Sequence, residues 1–167
     1  MISHRRGFLA TSDMADSSGK ITIGKQRYDS QTISIAPDMT LYFPGSPELA
    51  QRLSDPNHLL VACFCAAWCD TCKQYQPKLE QLSTHHPDMS FVWIDIEDYP
   101  ELVGDEDVEN FPTILINQRA QNRFAGTILP HIEHLDRLVH AVINSETEPD
   151  TDLPAVRELL IGMATNN

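Results

Sequence analysis

The chain has 167 residues, 41% hydrophobic and 22% charged, a composition typical of one globular domain with peripheral extensions. Its 12 basic and 24 acidic residues give a formal net charge of −12, which repels phosphate backbones and anionic lipids. We therefore expect neither nucleic acid nor membrane as a partner, and no stretch approaches the run of about 18 apolar residues that a membrane-spanning helix requires.

The N-terminal residues, 1–30, predict a flexible arm, because they are mostly polar with only short apolar islands. Arg5-Arg6 followed by Phe8-Leu9 resembles the twin-arginine part of a bacterial export signal. Residues 11–20 are polar, however, where such a signal continues with an apolar segment. We therefore expect a cytoplasmic protein rather than an exported one.

Residues 31–145 carry alternating strand and helix patterns that predict one α/β domain. Alternating polar and apolar residues predict a short strand at 31–36, and continuous apolar runs at 59–65 and 91–96 predict buried strands. A strand, a helix and a second strand of these lengths form the crossover that builds parallel sheets. Residues 112–116 and 123–125, separated by a predicted turn, indicate a closing hairpin.

Helices are predicted between these strands and after them. Ser46, Pro47 and Glu48 form a helix-start signal, and that helix is expected to end before Pro56. Apolar residues at helical spacing predict two longer amphipathic helices at 69–85 and 128–143. The tail, 146–167, predicts an acidic linker and then a short apolar helix that can dock on the domain or on a partner.

Four cysteines lie within ten residues, which indicates local chemistry rather than the dispersed disulfides of a secreted scaffold. Two of them, Cys69 and Cys72, form a C-x-x-C motif at a predicted helix start, directly after a buried strand. The free N–H groups and the positive dipole end of that helix stabilise a thiolate at Cys69. We predict that Cys69 attacks a disulfide and that Cys72 then closes on Cys69, which requires no cofactor and no metal.

Three features of the sequence accompany these two cysteines. They are the segment Trp68-Cys69-Asp70-Thr71-Cys72-Lys73, a proline eight residues after Cys69 (Pro77), and the segment Phe111-Pro112-Thr113. Together they resemble the thioredoxin family over roughly residues 55–145. The resemblance implies a thioredoxin-like α/β fold with a mostly parallel central sheet, an antiparallel hairpin at one edge and helices on both faces.

The resemblance also implies how a substrate is held. Pro112 matches the family's cis proline by its place just before a strand. Phe111 and Thr113 would then flank a backbone edge where an incoming peptide pairs, and Trp68 would provide a flat apolar wall beside the sulfurs. The implied partners are disulfide-containing proteins, with an upstream reductase or a small thiol as electron donor, in the reducing cytosol.

Two departures from the family pattern modify this expectation. Asp70 and Thr71 stand where typical thioredoxins have Gly-Pro, and a carboxylate beside the nucleophile opposes its ionisation, which favours a reductant over an oxidase. Cys63 occupies the strand position where the family carries a buried Asp that helps to move protons at the resolving thiol. Cys63 and Cys65 share one strand face, and we expect both to be small buried core residues, with extra redox states or disulfide shuffling as the alternative.

Two other functions compete with thiol–disulfide exchange. The four cysteines are in principle ligands for zinc or an iron–sulfur cluster, although an extended strand directs the first pair away from a common centre. The protein can instead be a partner-binding module with little redox turnover. Residues 97–109 contain seven acids and no base, which would attract a basic partner, although a solvated surface is the favoured interpretation.

Overall fold

A mixed five-stranded sheet forms the centre of the computed structural model, which describes residues 41–106, 108–145 and 153–165. The strands are β1 (Leu41–Tyr42), β2 (Leu59–Cys65), β3 (Met89–Asp95), β4 (Thr113–Gln118) and β5 (Gln121–Thr127). Their order across the sheet is β1-β3-β2-β4-β5. Strands β1, β3 and β2 run parallel, whereas β4 is antiparallel to both β2 and β5. The predicted fold class is therefore confirmed, including the hairpin at one edge.

The two central strands were predictable because every residue of β2, and all of β3 except its last, is buried. Strands covered on both faces carry a continuous apolar run rather than an alternation. The two-residue strand β1 was not predicted, and the strand predicted at 31–36 and the arm at 1–30 lie outside the described residues. A short 3-10 turn at Pro100–Leu102 was also not predicted.

The β4–β5 hairpin turns at two residues with left-handed backbone. Arg119 and Ala120 have φ of 55° and 57°, and a pair of positive φ values matches the right-handed twist of the flanking strands. Neither residue is the glycine or asparagine that normally signals such a turn. The hairpin at 113–127 nevertheless agrees closely with the predicted one, because the apolar run of β4 locates it.

The described residues form four helices that cover the sheet: α1 (Pro47–Leu53), α2 (Asp70–Thr84), α3 (Ile132–Ile143) and α4 (Val156–Thr165). The Ser46 hydroxyl accepts the Leu49 N–H at 3.3 Å, so the predicted cap of α1 is confirmed. The helix α3 begins four residues later than predicted, after Pro130, with His131 as its N-cap. In the described ranges no helix has both the length and the apolar character needed to cross a membrane.

The helices lie in two pairs, each over its own buried apolar cluster. One cluster, which we call the sulfur face, joins α2 and α3 to the sheet and contains three of the four cysteines. Its helix residues are Cys72, Tyr75 and Leu79 from α2 and Leu135, Val139 and Val142 from α3. The other cluster, which we call the arginine face, joins α1 and α4 to the sheet. The C-terminal helix therefore docks on the domain itself.

Arg157 of α4 anchors this docking, because its side chain is buried with only 2% of the residue exposed. Its Nε donates to the Asn117 side-chain oxygen at 2.7 Å. Its Nη1 donates to the carbonyls of Leu53 at 2.9 Å and Asp55 at 3.1 Å, and its Nη2 donates to the His58 carbonyl. The guanidinium thus ties α4 to β4 and to the connection between α1 and β2.

Candidate redox site

Cys69 stands at the junction where the buried strand β2 leads into the helix α2. It is the N-cap of α2, with extended backbone, and its sulfur accepts the Cys72 N–H at 3.4 Å. Its own N–H donates to the Ala66 carbonyl at 3.0 Å, which closes the turn between strand and helix. The Cys69 thiol is free and partly exposed. A sulfur in this position receives the positive end of the helix dipole and a backbone donor.

Cys72 is bonded to Cys65 and not to Cys69. The Cys65–Cys72 disulfide joins the last residue of β2 to the first turn of α2, with Cα atoms 6.0 Å apart, a normal separation for a disulfide. Both residues are only 1% exposed. The expected closure of Cys72 on Cys69 is therefore not the bond in this structure, and the interpretation of Cys65 as an inert core residue is wrong.

The spacing of two cysteines along β2 was a sequence signal for this bond. Cys63 and Cys65 lie two residues apart on β2 and therefore point to the same face, where α2 packs. Cys65 is the strand's last residue and lies nearest to the helix start, whereas Cys63 lies deeper in the core. Cys63 is a free, fully buried thiol, as the core interpretation predicted for it.

Two ionisable groups beneath the site are held neutral by burial. Burial raises the pKa of the Cys63 thiol far above its ordinary value. The pKa of Tyr75 is also raised, mainly by burial and further by repulsion from the ionised forms of Cys63 and Glu133. The Tyr75 hydroxyl is buried and has no hydrogen-bond partner within the described residues. Neither group supplies a charge to the sulfurs at neutral pH.

The exposed ring of Trp68, the residue before Cys69, contacts the residue that precedes a cis proline. Trp68 is 62% exposed, and its ring meets Phe111 edge to face, with centroids 5.6 Å apart and planes at 76°. The Phe111–Pro112 peptide bond is cis, as the resemblance implied. The backbone of Phe111 forms no hydrogen bond with another described residue. The site therefore combines an exposed ring with one residue, Phe111, whose backbone has no hydrogen-bond partner among the described residues.

Thr113 does not offer such a free edge. It begins β4 and is paired in the sheet with Phe64 on one side and Thr127 on the other. Its hydroxyl donates to the Asn110 carbonyl at 2.7 Å and lies 3.1 Å from the Thr127 hydroxyl. These contacts fix the cis-proline loop against the sheet, so Thr113 supports the loop that carries Phe111.

Asp70 and Thr71, the two residues inside the motif, are exposed. The Asp70 carboxylate is 87% exposed and pairs with Lys73 at 3.2 Å, which partly neutralises its charge in solvent. The effect of Asp70 on Cys69 ionisation stays a prediction. Lys73 is likewise an exposed helix residue.

The four-cysteine metal site is not favoured, because two of its four sulfurs are joined in the disulfide. In the described part of the chain, the residues spaced to hold a metal are instead His86, Asp136 and His140, whose ligand atoms lie within 4.8 Å of one another. His86 Nε2 lies 2.9 Å and His140 Nε2 lies 3.7 Å from the same Asp136 oxygen. This cluster joins the segment after α2 to α3.

The acidic stretch is largely solvated. The described acids that are exposed there are Glu97, Asp98, Glu101, Asp105 and Glu109. Such exposure agrees with the interpretation of a hydrated surface, and it leaves the charge available to a basic partner.

The fold and the site define a class: an α/β protein with a C-x-x-C motif at a helix start and a cis proline whose neighbour packs against the motif's tryptophan. The family model for thioredoxin matches residues 28–138. The chain belongs to the thioredoxin family.

Known relatives are similar over parts of the chain. Thioredoxin H8 of Arabidopsis thaliana is 36% identical over 69 residues, which cover 41% of this chain and 47% of that protein. Mitochondrial thioredoxin-3 of Saccharomyces cerevisiae is 34% identical over 71 residues, 42% of this chain and 56% of that protein. Thioredoxin domain-containing protein 2 of Rattus norvegicus is 28% identical over 109 residues, and the chain spans only 20% of its length.

Solved structures share the fold. Thioredoxin from Trypanosoma brucei brucei is 22% identical with a TM-score of 0.54, over 66% of this chain and 97% of that chain. A poplar thioredoxin h is 23% identical with a TM-score of 0.53, over 64% of this chain and 98% of that chain. At these identities the likeness concerns the fold.

Proposed function

We propose that the protein reduces disulfides in other proteins by dithiol exchange, with Cys69 as the attacking thiol and Cys72 as the resolving thiol. One observation carries the proposal: Cys69 is a free, partly exposed thiol at the N-cap of α2, where its sulfur accepts the Cys72 N–H. The thiolate of such a reachable thiol is the nucleophile in exchange reactions.

The exchange proceeds in two displacements. The Cys69 thiolate attacks one sulfur of the partner's disulfide, forms a mixed disulfide and releases the other partner sulfur as a thiolate that takes up a proton. Cys72, after losing its proton, attacks the Cys69 sulfur and releases the second partner thiol. The Cys69–Cys72 disulfide holds the oxidation, and the partner has gained two electrons and two protons. Reduction of the Cys65–Cys72 bond seen in the structure makes Cys72 available for this role.

The neighbouring loop provides the contact with a polypeptide partner. The backbone of Phe111, which has no hydrogen-bond partner among the described residues, can accept an extended segment by strand-like hydrogen bonding, next to the cis bond at Pro112. The exposed Trp68 ring covers the segment's apolar side chains. Thr113 holds the loop in position rather than meeting the partner, because the sheet occupies it on both sides.

The electron donor in this proposal is an upstream reductase or a small thiol, and the place of action is the reducing cytosol, where a dithiol form is maintained. The described acids between Glu97 and Glu109 would steer partners with basic surfaces. A binding role without turnover gains no support from the C-terminal helix, because α4 packs on the domain instead of presenting its apolar side.

Insulin reduction by the full chain tests the proposal. With dithiothreitol as donor, we expect the wild type to precipitate insulin chains and Cys69→Ser to lose the catalysed rate by at least about 100-fold, because a hydroxyl is a far weaker nucleophile than a thiolate. Reduced Cys72→Ser mixed with insulin after removal of dithiothreitol is expected to accumulate a mixed disulfide between Cys69 and insulin, visible on a nonreducing gel.

The matched control is Gln81→Ala, which changes an exposed residue farther along α2 and is expected to keep the wild-type rate. A folded wild type that reduces insulin no faster than Cys69→Ser would contradict the proposal. Capture of partners by Cys72→Ser only through noncovalent contacts would favour the binding module instead.

A further inference from the structure

We propose that Cys65 is a third redox-active cysteine, which replaces Cys69 as the disulfide partner of Cys72. This inference rests on the proposed function, because a partner disulfide supplies the oxidation. The protein then has two oxidised forms with one disulfide each. The outer form has the Cys69–Cys72 bond, and the inner form has the Cys65–Cys72 bond that the structure contains.

The geometry brings both candidate partners to one sulfur. Cys65 ends β2 and Cys72 lies in the first turn of α2, and their disulfide spans the two elements without unusual Cα separation. Cys69 lies in the same turn, and its sulfur contacts the Cys72 N–H. Cys65, at the end of β2, and Cys69, in the first turn of α2, are therefore both positioned to bond with Cys72.

The exchange is balanced without any further reactant. The Cys65 thiol loses its proton and its thiolate attacks the Cys72 sulfur of the outer disulfide. The Cys65–Cys72 bond forms, the Cys69–Cys72 bond breaks, and Cys69 leaves as a thiolate that can take up the proton. No electrons enter or leave the protein in this step, so the oxidation is only moved inward.

The two forms differ in what they present to solvent. In the outer form the free thiols are Cys63 and Cys65, and both positions are at most 1% exposed. In the inner form the free thiols are Cys63 and the partly exposed Cys69. The inner form is thus an oxidised protein that still carries a nucleophile, and its buried disulfide is reopened when Cys69 attacks Cys72.

Cys63 is a second strand cysteine with which Cys65 can be compared. It shares the strand face of Cys65 and is also buried, but it is unbonded and lies two residues deeper in the core. A general tendency of buried strand cysteines to oxidise would therefore involve both residues, whereas the proposed exchange involves Cys65 alone.

Disulfide mapping of the oxidised full chain tests the exchange. The reduced protein is oxidised with insulin, its exposed thiols are labelled with N-ethylmaleimide under native conditions, and the remaining free thiols are labelled with iodoacetamide after unfolding. Chymotrypsin cuts after Phe64, Trp68 and Tyr75 and so separates Cys65, in residues 65–68, from the motif cysteines, in residues 69–75. An inner disulfide links these two peptides, whereas an outer disulfide lies within the second.

We expect the linked peptides, with N-ethylmaleimide on Cys69 at about one label per chain. Oxidised Cys65→Ala is expected to carry the disulfide within residues 69–75 and almost no native label, a loss of roughly tenfold or more. Oxidised Cys63→Ala is expected to keep the linked peptides and the label. An outer disulfide alone in the wild type, with Cys65 found as a thiol, would overturn the inference.

The insulin assay separates this failure from failure of the proposed function. An active wild type that forms only the outer disulfide leaves dithiol exchange intact and removes Cys65 from it. A wild type that neither reduces insulin nor gains a disulfide from it overturns both proposals. The wild-type mapping needs no substitution, so it decides the question even if Cys65→Ala does not fold.

Discussion

The two faces of the sheet bury polar and reactive groups in opposite ways. On the arginine face, the guanidinium of Arg157 is buried among four oxygen acceptors, one from β4 and three from the end of α1 and its connection to β2. On the sulfur face, the buried Tyr75 hydroxyl has no hydrogen-bond partner among the described residues, the Cys63 thiol is free and buried, and a buried disulfide lies next to the partly exposed Cys69 thiol. From this comparison we expect the arginine face to secure the fold and the sulfur face to carry the proposed chemistry.

Removal of Arg157 is the strongest test of that division. Arg157→Ala leaves the Asn117 oxygen and three buried or half-buried carbonyls without their charged donor, so we expect the free energy of unfolding to fall by about 3 kcal/mol. Urea unfolding followed by circular dichroism measures this. The insulin reduction rate per folded molecule is expected to stay unchanged in the absence of urea, because no contact of Arg157 reaches the sulfurs.

The control for that experiment is Arg137→Ala, an exposed arginine on α3, which is expected to change the unfolding free energy by no more than about 0.5 kcal/mol. Equal effects of the two substitutions would show that the buried arginine does not secure the fold. A fall in the folded-state insulin rate for Arg157→Ala would show that the two faces are coupled.

For Trp68 we expect a loss of activity with little loss of stability, the opposite of the result expected for Arg157. The Trp68 ring is 62% exposed and packs against Phe111, so Trp68→Ala removes the proposed substrate wall while exposing little core. We expect kcat/KM for insulin to fall about tenfold, equivalent to about 1.4 kcal/mol, with the unfolding free energy changed by less than about 0.5 kcal/mol. Turnover of a small aromatic disulfide is expected to change much less, because it needs no extended contact.

Phe43→Ala serves as the matched control. Phe43 is also an exposed aromatic residue, at 44%, but it follows β1, which β3 separates from β2. It is expected to leave both insulin and small-disulfide reduction unchanged. A similar loss in both variants would mean that exposed aromatic area in general, rather than the Trp68 wall, binds the substrate.

The long, regular elements of this fold were predictable from sequence. The strands β2 and β3 are continuous apolar runs, and α2 has a clear apolar spacing, so local pattern and tertiary environment agree. The strand β1 was missed because two residues carry no periodicity. The docking of α4 was left open because a lone arginine in an apolar helix gives no hint that distant carbonyls will surround it.

The candidate site was also predictable from sequence only in part. The position of Cys69 at a helix start follows from the strand and helix patterns on either side of it. The partner of Cys72 did not follow, because the pairing depends on how closely the end of β2 approaches the first turn of α2. Spacing along the chain favoured Cys69, three residues away, over Cys65, seven residues away. Only the packed structure gives that distance.

The smallest expected effect concerns His58, at the start of β2 near Arg157. Its pKa is lowered, first by burial and then by the positive charges of Arg52 and Arg157, which outweigh Asp55 and Asp88. The folded protein therefore favours neutral His58, whose ring lies 2.9 Å from the Ser90 hydroxyl. The stabilisation is complete above the unfolded pKa of about 6.5 and is lost as the pH falls below it through the folded pKa.

Urea unfolding of the wild type and His58→Gln at pH 7.5 and 5.5 measures this contribution. After allowance for solvent screening at a partly exposed ring, we expect the wild type to lose about 0.5 kcal/mol more than the variant between these pH values. The difference removes the contributions of other titrating groups, which both proteins share. Equal losses would show that protonation of His58 does not lower the free energy of unfolding. The charge of Arg157 would then act on its oxygen acceptors and not on His58.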